Sequence, residues 1–276
     1  MNTDTSAVRM ENDSGPMLLR ERLDGIAVLT LNRPRSRNSL SEAMLAELAD
    51  AFVALRDDRT VRAVILAANG PAFSAGHDLK ELTARRADAD GGRGYTKELM
   101  DACSALMQSI LKLPQPVIAA VEGTATAAGC QLVATCDLAV ASRSAKFCTP
   151  GVHIGLFCST PMVALTRNVG RKHALEMLLT GDMVSADDAL GLGLVNQVVE
   201  PGSARNAALK LARKIAAKSA GVVKFGKEAF YRQLEMNVSD AYRYASEVMV
   251  ENMMARDAEE GIAAFIEKRN PQWDRS

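Results

Sequence analysis

The chain has 276 residues, with 33 Lys plus Arg against 33 Asp plus Glu and three His, so its formal charge at pH 7 is zero. A surface that gains affinity by releasing counterions from DNA or RNA needs a basic excess, so nucleic acid is excluded as the natural partner. Hydrophobic residues at 48% and charged residues at 24% are an ordinary globular composition, enough to build a core in one or two domains.

No stretch approaches the roughly 20 consecutive apolar residues of a membrane span. The N-terminal MNTDTSAVRMENDSGP has no apolar signal core and is too acidic for a transit peptide. Residues 1–16 are expected to be a disordered leader, and the protein cytoplasmic. The five cysteines, Cys103, Cys130, Cys136, Cys148 and Cys158, form no CxxC pair and no Cys/His ligand spacing. Neither disulfides nor a bound metal are expected, and each cysteine reads as a small buried hydrophobe.

Leu18 to Leu31 reads as a β-hairpin around Asp24-Gly25. Ser39 with Glu42 matches a capping box, and Met44, Leu45, Leu48, Phe52 and Leu55 recur at helical spacing, which predicts a helix over Ser41 to Leu55. The continuous β-branched run Val61 to Ala67 suits a strand buried on both faces. Arg85 to Gly94 is polar, Gly-rich and aperiodic, and reads as a mobile surface loop. A helix to about Leu111, a strand over Pro116 to Val121, a small-residue run entering a helix, and a strand over Leu138 to Ala141 follow. Beyond Pro161 helices dominate: Met162 to Val169, His173 to Leu179, Ala186 to Leu190, Ala204 to Ser219, Val222 to Leu234 and Asp240 to Ile266. One short strand, Val195 to Val199, interrupts them. Strands alternating with helices, then a helical final third, predict an α/β core with an appended helical region.

Two places offer a backbone N–H to a ligand. At Gly76-His77-Asp78 a strand ends in a glycine turn, and Asp78 is placed to cap the next helix. At Ala127-Ala128-Gly129 small side chains stand at a helix N-terminus, where free N–H groups favour partial negative charge. Two such donors converging on a carbonyl oxygen form an oxyanion hole. Close packing explains either corner taken alone equally well.

The segments LNRP and NSL (Leu31 to Leu40), FSAGHDLKEL (Phe73 to Leu82), PVIAAVEGTATAAGCQLVATCDLAVAS (Pro116 to Ser142), TPGVHIGL (Thr149 to Leu156), ALEMLLTGDMVSADDALGLGLVNQVV (Ala174 to Val199) and GIAAFIEKR (Gly261 to Arg269) resemble the enoyl-CoA hydratase/isomerase, or crotonase, superfamily. Within it, GHDLKEL, ATAAGCQLVA and GLFCSTP together resemble one subgroup. The resemblance implies a crotonase-like ββα spiral core over residues 17–200 and a C-terminal helical trimerisation region over 201–276. It also implies a homotrimer or a dimer of trimers, and an acyl-CoA thioester as ligand.

On that resemblance the oxyanion hole falls on the backbone N–H groups of His77 and Ala128, while the His77 ring is free to point to solvent. Coenzyme A enters as part of the substrate, with no separate cofactor. Substrate contacts are implied at Arg35, Arg37, Ser74, Gly76, Asp78, Leu79, Ala127, Pro150, Gly151, Leu156 and Lys268. Arg33, Arg35 and Arg37 fall within five residues with no acid from Asn32 to Ser41. They suit either a solvated surface or the phosphates of coenzyme A.

The chain departs from the family pattern where hydratases carry two glutamates: Gln131 and Gly151 stand in those places. An amide cannot serve as a general base, and Gln131 is left to orient a water or the substrate by hydrogen bonds. Each general acid or base is worth about 10²- to 10⁴-fold, so efficient hydration by the family route is not expected. The residues leave three readings open: an atypical enoyl-CoA hydratase/isomerase, a carboxylate-free reaction such as decarboxylation, and a non-catalytic acyl-CoA binder or regulator.

Overall fold

The computed structural model describes residues 15–274. All but the last two residues of the expected leader therefore lie outside the described residues. The chain opens with strands β1 (Leu18–Leu23) and β2 (Ile26–Leu31), then helix α1 (Glu42–Arg56), β3 (Ala63–Ala68) and β4 (Ala72–Ser74). Next come α2 (Leu79–Ala84), α3 (Arg93–Lys112), β5 (Val117–Val121), β6 (Thr124–Thr126), α4 (Ala128–Thr135), β7 (Leu138–Ser142) and β8 (Lys146–Cys148). The last third holds α5 (Ser159–Leu165), α6 (Arg171–Thr180), β9 (Val184–Ser185), α7 (Ala186–Gly191), β10 (Gln197–Val199), α8 (Ala204–Ala216), α9 (Ala220–Leu234), α10 (Val238–Met253) and α11 (Arg256–Glu267).

The strands form a six-stranded sheet ordered β1-β2-β3-β5-β7-β10 and a four-stranded sheet ordered β4-β6-β8-β9. In the larger sheet only the β1–β2 hairpin is antiparallel, and Asp24 and Gly25 both take the positive φ that its two-residue turn requires. Three times a strand of the larger sheet is followed by a short strand of the smaller one: β3 by β4, β5 by β6, β7 by β8. Each pair feeds a helix, which makes the expected spiral of ββα turns. The central strands are buried on both faces as their β-branched runs required. One face packs against α1, α3 and α4, and the other against Ala204, Ala208 and Ala212 of α8.

The structure departs from the sequence reading in its details. Ser39 is not the cap of α1: Ser41 accepts the Met44 N–H, and the Ser39 hydroxyl instead donates to Asp78. The long helix expected over Asp240 to Ile266 breaks near Met254, giving α10 and α11. The strands of the smaller sheet are two or three residues long, too short for any periodicity to reveal. The expected loop Arg85 to Gly94 contains a 3₁₀ turn over Arg85–Ala87, and the Asp90 carboxylate accepts the N–H groups of Gly92 and Gly94. All five cysteines are free and buried. No helix among the described residues is long and apolar enough to cross a membrane.

Candidate active site

The site forms where successive turns of the spiral meet. β4 ends at Ser74, the chain turns at Gly76 (φ +87°), and His77 pairs as an isolated parallel bridge with Leu40. The carbonyls at this corner are engaged: the Gly76 oxygen accepts Leu40 N–H at 2.7 Å and the Ala75 oxygen accepts the Thr126 hydroxyl at 3.0 Å. Ser74 is fully buried, and its hydroxyl accepts the Gly76 N–H at 3.3 Å. It shapes the corner from within. Asp78 caps α2 as expected, accepting Lys80 N–H at 2.9 Å, and Leu79 opens that helix half exposed.

Opposite stands the start of α4. Ala127 takes φ +49° and ψ −119°, a conformation that ordinarily belongs to glycine, and its N–H donates to the Cys148 carbonyl at 3.0 Å. Ala128 is the first residue of the helix. A Cβ placed on Gly76 would lie 3.1 Å from the Ala128 nitrogen and 2.9 Å from the Ala127 Cβ, so the two corners touch. Among the described residues neither the His77 N–H nor the Ala128 N–H meets an acceptor. Two unpaired donors thus stand on either side of a glycine contact, one of them at a helix N-terminus.

The His77 ring does not point to solvent. Its Nδ1 lies 3.3 Å from the Leu40 carbonyl oxygen, its Nε2 is buried without a partner, and burial holds its pKa below the ordinary value. The neutral ring therefore donates from Nδ1 to Leu40. Gln131, one turn after Ala128 on the same helical face, is only 5% exposed, and its Oε1 is buried with no partner.

Pro150 and Gly151 lie on the 3₁₀ turn Pro150–Ile154, and the Leu156 N–H closes this turn on the Gly151 carbonyl at 2.9 Å. The Leu156 side chain is 54% exposed. A Cβ on Gly151 would meet Cys158 Sγ and the Leu156 carbonyl, each at 3.0 Å. His153 is spoken for, its Nε2 bonded to the Thr180 carbonyl at 2.7 Å, and the Ser159 hydroxyl is bonded to the Phe157 carbonyl at 3.2 Å.

The basic turn joins this site directly. Ala75 N–H donates to the Arg37 carbonyl at 2.9 Å, which leaves the Arg35 and Arg37 side chains exposed beside the glycine corner. Sequence reasoning missed the residue that holds this turn. Asn38 is fully buried at φ +51°; its Oδ1 accepts Arg33 N–H at 2.7 Å and its Nδ2 donates to Asn69 and Ala72 at 2.9 and 2.8 Å. Its one legible sign is that Asn tolerates positive φ better than most residues. Lys268 ends α11 in an exposed left-handed cap, outside the contacts that join Arg37, Gly76, His77 and Ala128.

A ββα spiral with two backbone donors at the junction of its turns defines a crotonase-fold protein. The family profile described as Enoyl-CoA hydratase/isomerase matches residues 21–276, and the chain belongs to that family. Human enoyl-CoA hydratase domain-containing protein 3, mitochondrial, is 48% identical over 267 residues, covering 97% of this chain and 86% of that protein. The crystal structure of the same human protein superposes with a TM-score of 0.89 at 48% identity, covering 94% of this chain and 100% of that one. An enoyl-CoA hydratase structure from Mycobacterium smegmatis superposes with a TM-score of 0.89 at 55% identity, covering 94% and 99% of the two chains. The subgroup that this chain resembles is therefore that of the human protein.

Proposed function

We propose that this chain binds an acyl-CoA thioester and polarises its carbonyl at the N–H groups of His77 and Ala128. The observation that supports this reading is the contact across Gly76, which stands next in the chain to the unpaired His77 N–H and whose Cβ position would lie 3.1 Å from the Ala128 nitrogen. Each such donor is worth about 3 kcal/mol when charge develops on the oxygen. Arg35 and Arg37 support the coenzyme A half of the ligand, since their turn is bonded to the glycine corner. Asp78, Leu79, Ala127, Pro150, Gly151 and Leu156 frame the path between, Ser74 and Gly76 shape its wall, and Lys268 approaches from a helix of this or a neighbouring subunit. Coenzyme A is part of the substrate, and the reading needs no separate cofactor.

By family, the reaction is of the enoyl-CoA hydratase/isomerase kind. Gln131 and Gly151, however, stand where the resemblance places the family's water-activating glutamates, and the buried, unpartnered amide oxygen of Gln131 orients a group without taking its proton. That amide favours a second reading: a reaction that needs no base. Loss of CO₂ from a malonyl-type thioester yields an enolate directly and asks only for oxyanion stabilisation. Binding without turnover is the limiting case of the same site.

Crotonyl-CoA hydration and CO₂ release from malonyl-type thioesters, measured beside butyryl-CoA binding, separate these readings. Butyryl-CoA bound with slow hydration, and hydration raised in Gln131→Glu, is the expected result. Wild-type hydration at an ordinary enzyme rate would overturn the assignment of Gln131, and failure of any acyl-CoA to bind would overturn the whole reading.

The assembly we infer is a homotrimer or a dimer of trimers. Exposed apolar side chains on the last helices support it: Phe265 is 85% exposed, Met254 76% and Val238 74%. Native mass spectrometry of the full chain tests it. We place the protein in the cytoplasm; the vertebrate relatives carry the word mitochondrial in their names, and cell fractionation decides between the compartments.

A further inference from the structure

The His77 N–H and the Gly76 carbonyl are the two ends of one peptide group. That group is planar and trans, so its N–H points opposite to its C=O. The Gly76 oxygen accepts the Leu40 N–H at 2.7 Å, which aims the His77 N–H away from Leu40. Gly76 itself restrains this plane little, since at φ +87° it has the freedom of a residue without a Cβ. Leu40, fully buried, is held in turn by the His77 ring, whose Nδ1 lies 3.3 Å from the Leu40 carbonyl oxygen. A carbonyl only accepts, so Nδ1 carries the proton. Ring and backbone thus close a clasp on Leu40.

We propose that the His77 ring is a positioning residue for the oxyanion donor: acting through Leu40, it holds the Gly76–His77 peptide plane, and with it the direction of the His77 N–H, fixed to the basic turn. The proposal rests on the acyl-thioester reading of the site. In this role the ring takes no proton from the substrate and forms no bond to it. It fixes where a backbone donor points.

Two features set this apart from packing. The ring buries Nε2 without a partner, a penalty that an apolar side chain of the same size does not carry, so the Nδ1 bond is what this residue type adds. The clasp also lies within a seam of bonds between the two segments. Ala75 N–H donates to the Arg37 carbonyl at 2.9 Å, the Ser39 hydroxyl to Asp78 at 3.3 Å, and Glu42 N–H to Glu81 at 3.0 Å. These bonds hold the chain before and after Gly76–His77, while the Leu40 N–H reaches the very peptide that carries the donor. A shift of the basic turn is therefore passed to the donor through Leu40.

The test reads the stretching frequency of an isotope-labelled thioester carbonyl in butyryl-CoA bound to the full-length protein, by infrared difference spectroscopy. Hydrogen bonds to a carbonyl oxygen lower that frequency, so the wild type is expected to lower it relative to free butyryl-CoA. His77→Phe keeps a ring and loses the Nδ1 donor; His77→Asn loses the ring and puts an amide N–H where Nδ1 stands. Most of the lowering is expected to vanish in His77→Phe and to return in His77→Asn, with butyryl-CoA bound by both in calorimetry. A wild-type frequency in His77→Phe, or loss of the lowering in His77→Asn, overturns the positioning role and leaves the acyl-thioester reading standing. Where His77→Phe does not fold, His77→Asn decides by itself on the same readout. No lowering in the wild type, or no binding of butyryl-CoA to it, overturns both.

Discussion

Gly129 lies so close to Ser74 that a Cβ added to it would sit 2.2 Å from the Ser74 carbonyl oxygen. Backbone meets backbone there, and the start of α4 is seated on β4 with no room for adjustment. Gly76 makes the companion contact, its Cβ position 3.1 Å from the Ala128 nitrogen. These two glycines set the spacing between the His77 and Ala128 donors.

Gly129→Ala therefore cannot be absorbed by a rotamer change, because the obstructing atom is a carbonyl oxygen. Overpacking of this kind costs about 3 kcal/mol. The expected outcome is a sharply lower thermal midpoint or an insoluble chain. A wild-type midpoint would show that α4 is not seated on β4.

Ala127→Gly should do the reverse. Ala127 holds φ +49° with ψ −119°, a conformation that costs a residue with a Cβ about 1–3 kcal/mol. Glycine removes that strain and gives back about 0.5–1 kcal/mol in unfolded-chain entropy, for a net gain of about 1 kcal/mol. Urea unfolding should show a higher midpoint at unchanged slope, with acyl-CoA binding retained.

The last helices are anchored by a buried ion pair. Lys227 Nζ donates to Asp137 at 2.6 Å and to the Ile110 and Gln115 carbonyls at 2.9 and 3.1 Å, while Tyr231 donates to the other Asp137 oxygen at 2.8 Å. With side chains only 6% and 12% exposed, removing one partner strands the other. Lys227→Met should cost about 3–5 kcal/mol. Lys227→Met/Asp137→Leu should lose less than the sum of the two single variants, as a double-mutant cycle by chemical denaturation will show.

His77 makes stability depend on pH. Its folded pKa lies below the ordinary 6.5 because burial disfavours the charged ring, so below pH 6.5 the unfolded chain takes up a proton that the folded one refuses. Its contribution is complete above about pH 7.5 and is lost as the pH falls through 6.5 toward the folded value. Thermal midpoints at about pH 7.5 and about pH 5.5 should differ less in His77→Asn than in the wild type. An equal difference in both proteins would place the pH sensitivity elsewhere.

Much of this was legible one residue at a time. The buried strands, the hairpin at Asp24-Gly25 and the Asp78 cap follow from local rules, because side-chain period and turn chemistry act over a few neighbours. The resemblance to the crotonase superfamily implies backbone donors at His77 and Ala128, and among the described residues neither N–H meets an acceptor. The anchoring cluster of Lys227, Asp137 and Tyr231 was not legible, since its members come from distant segments and a lysine on an amphipathic helix looks like any surface lysine. The split between α10 and α11 was missed as well, in a stretch without glycine or proline to mark it.

Composition, period and motif order were enough to establish the α/β class, the helical final third and the absence of carboxylates at positions 131 and 151. They could not say that the His77 ring turns inward to Leu40, that Asn38 holds the basic turn, or that Cys158 fills the space beside Gly151. Those facts depend on which backbones approach one another across the spiral. Such approaches are made by strands of two or three residues and by glycine contacts, which carry no periodic signal and exist only once the turns have stacked.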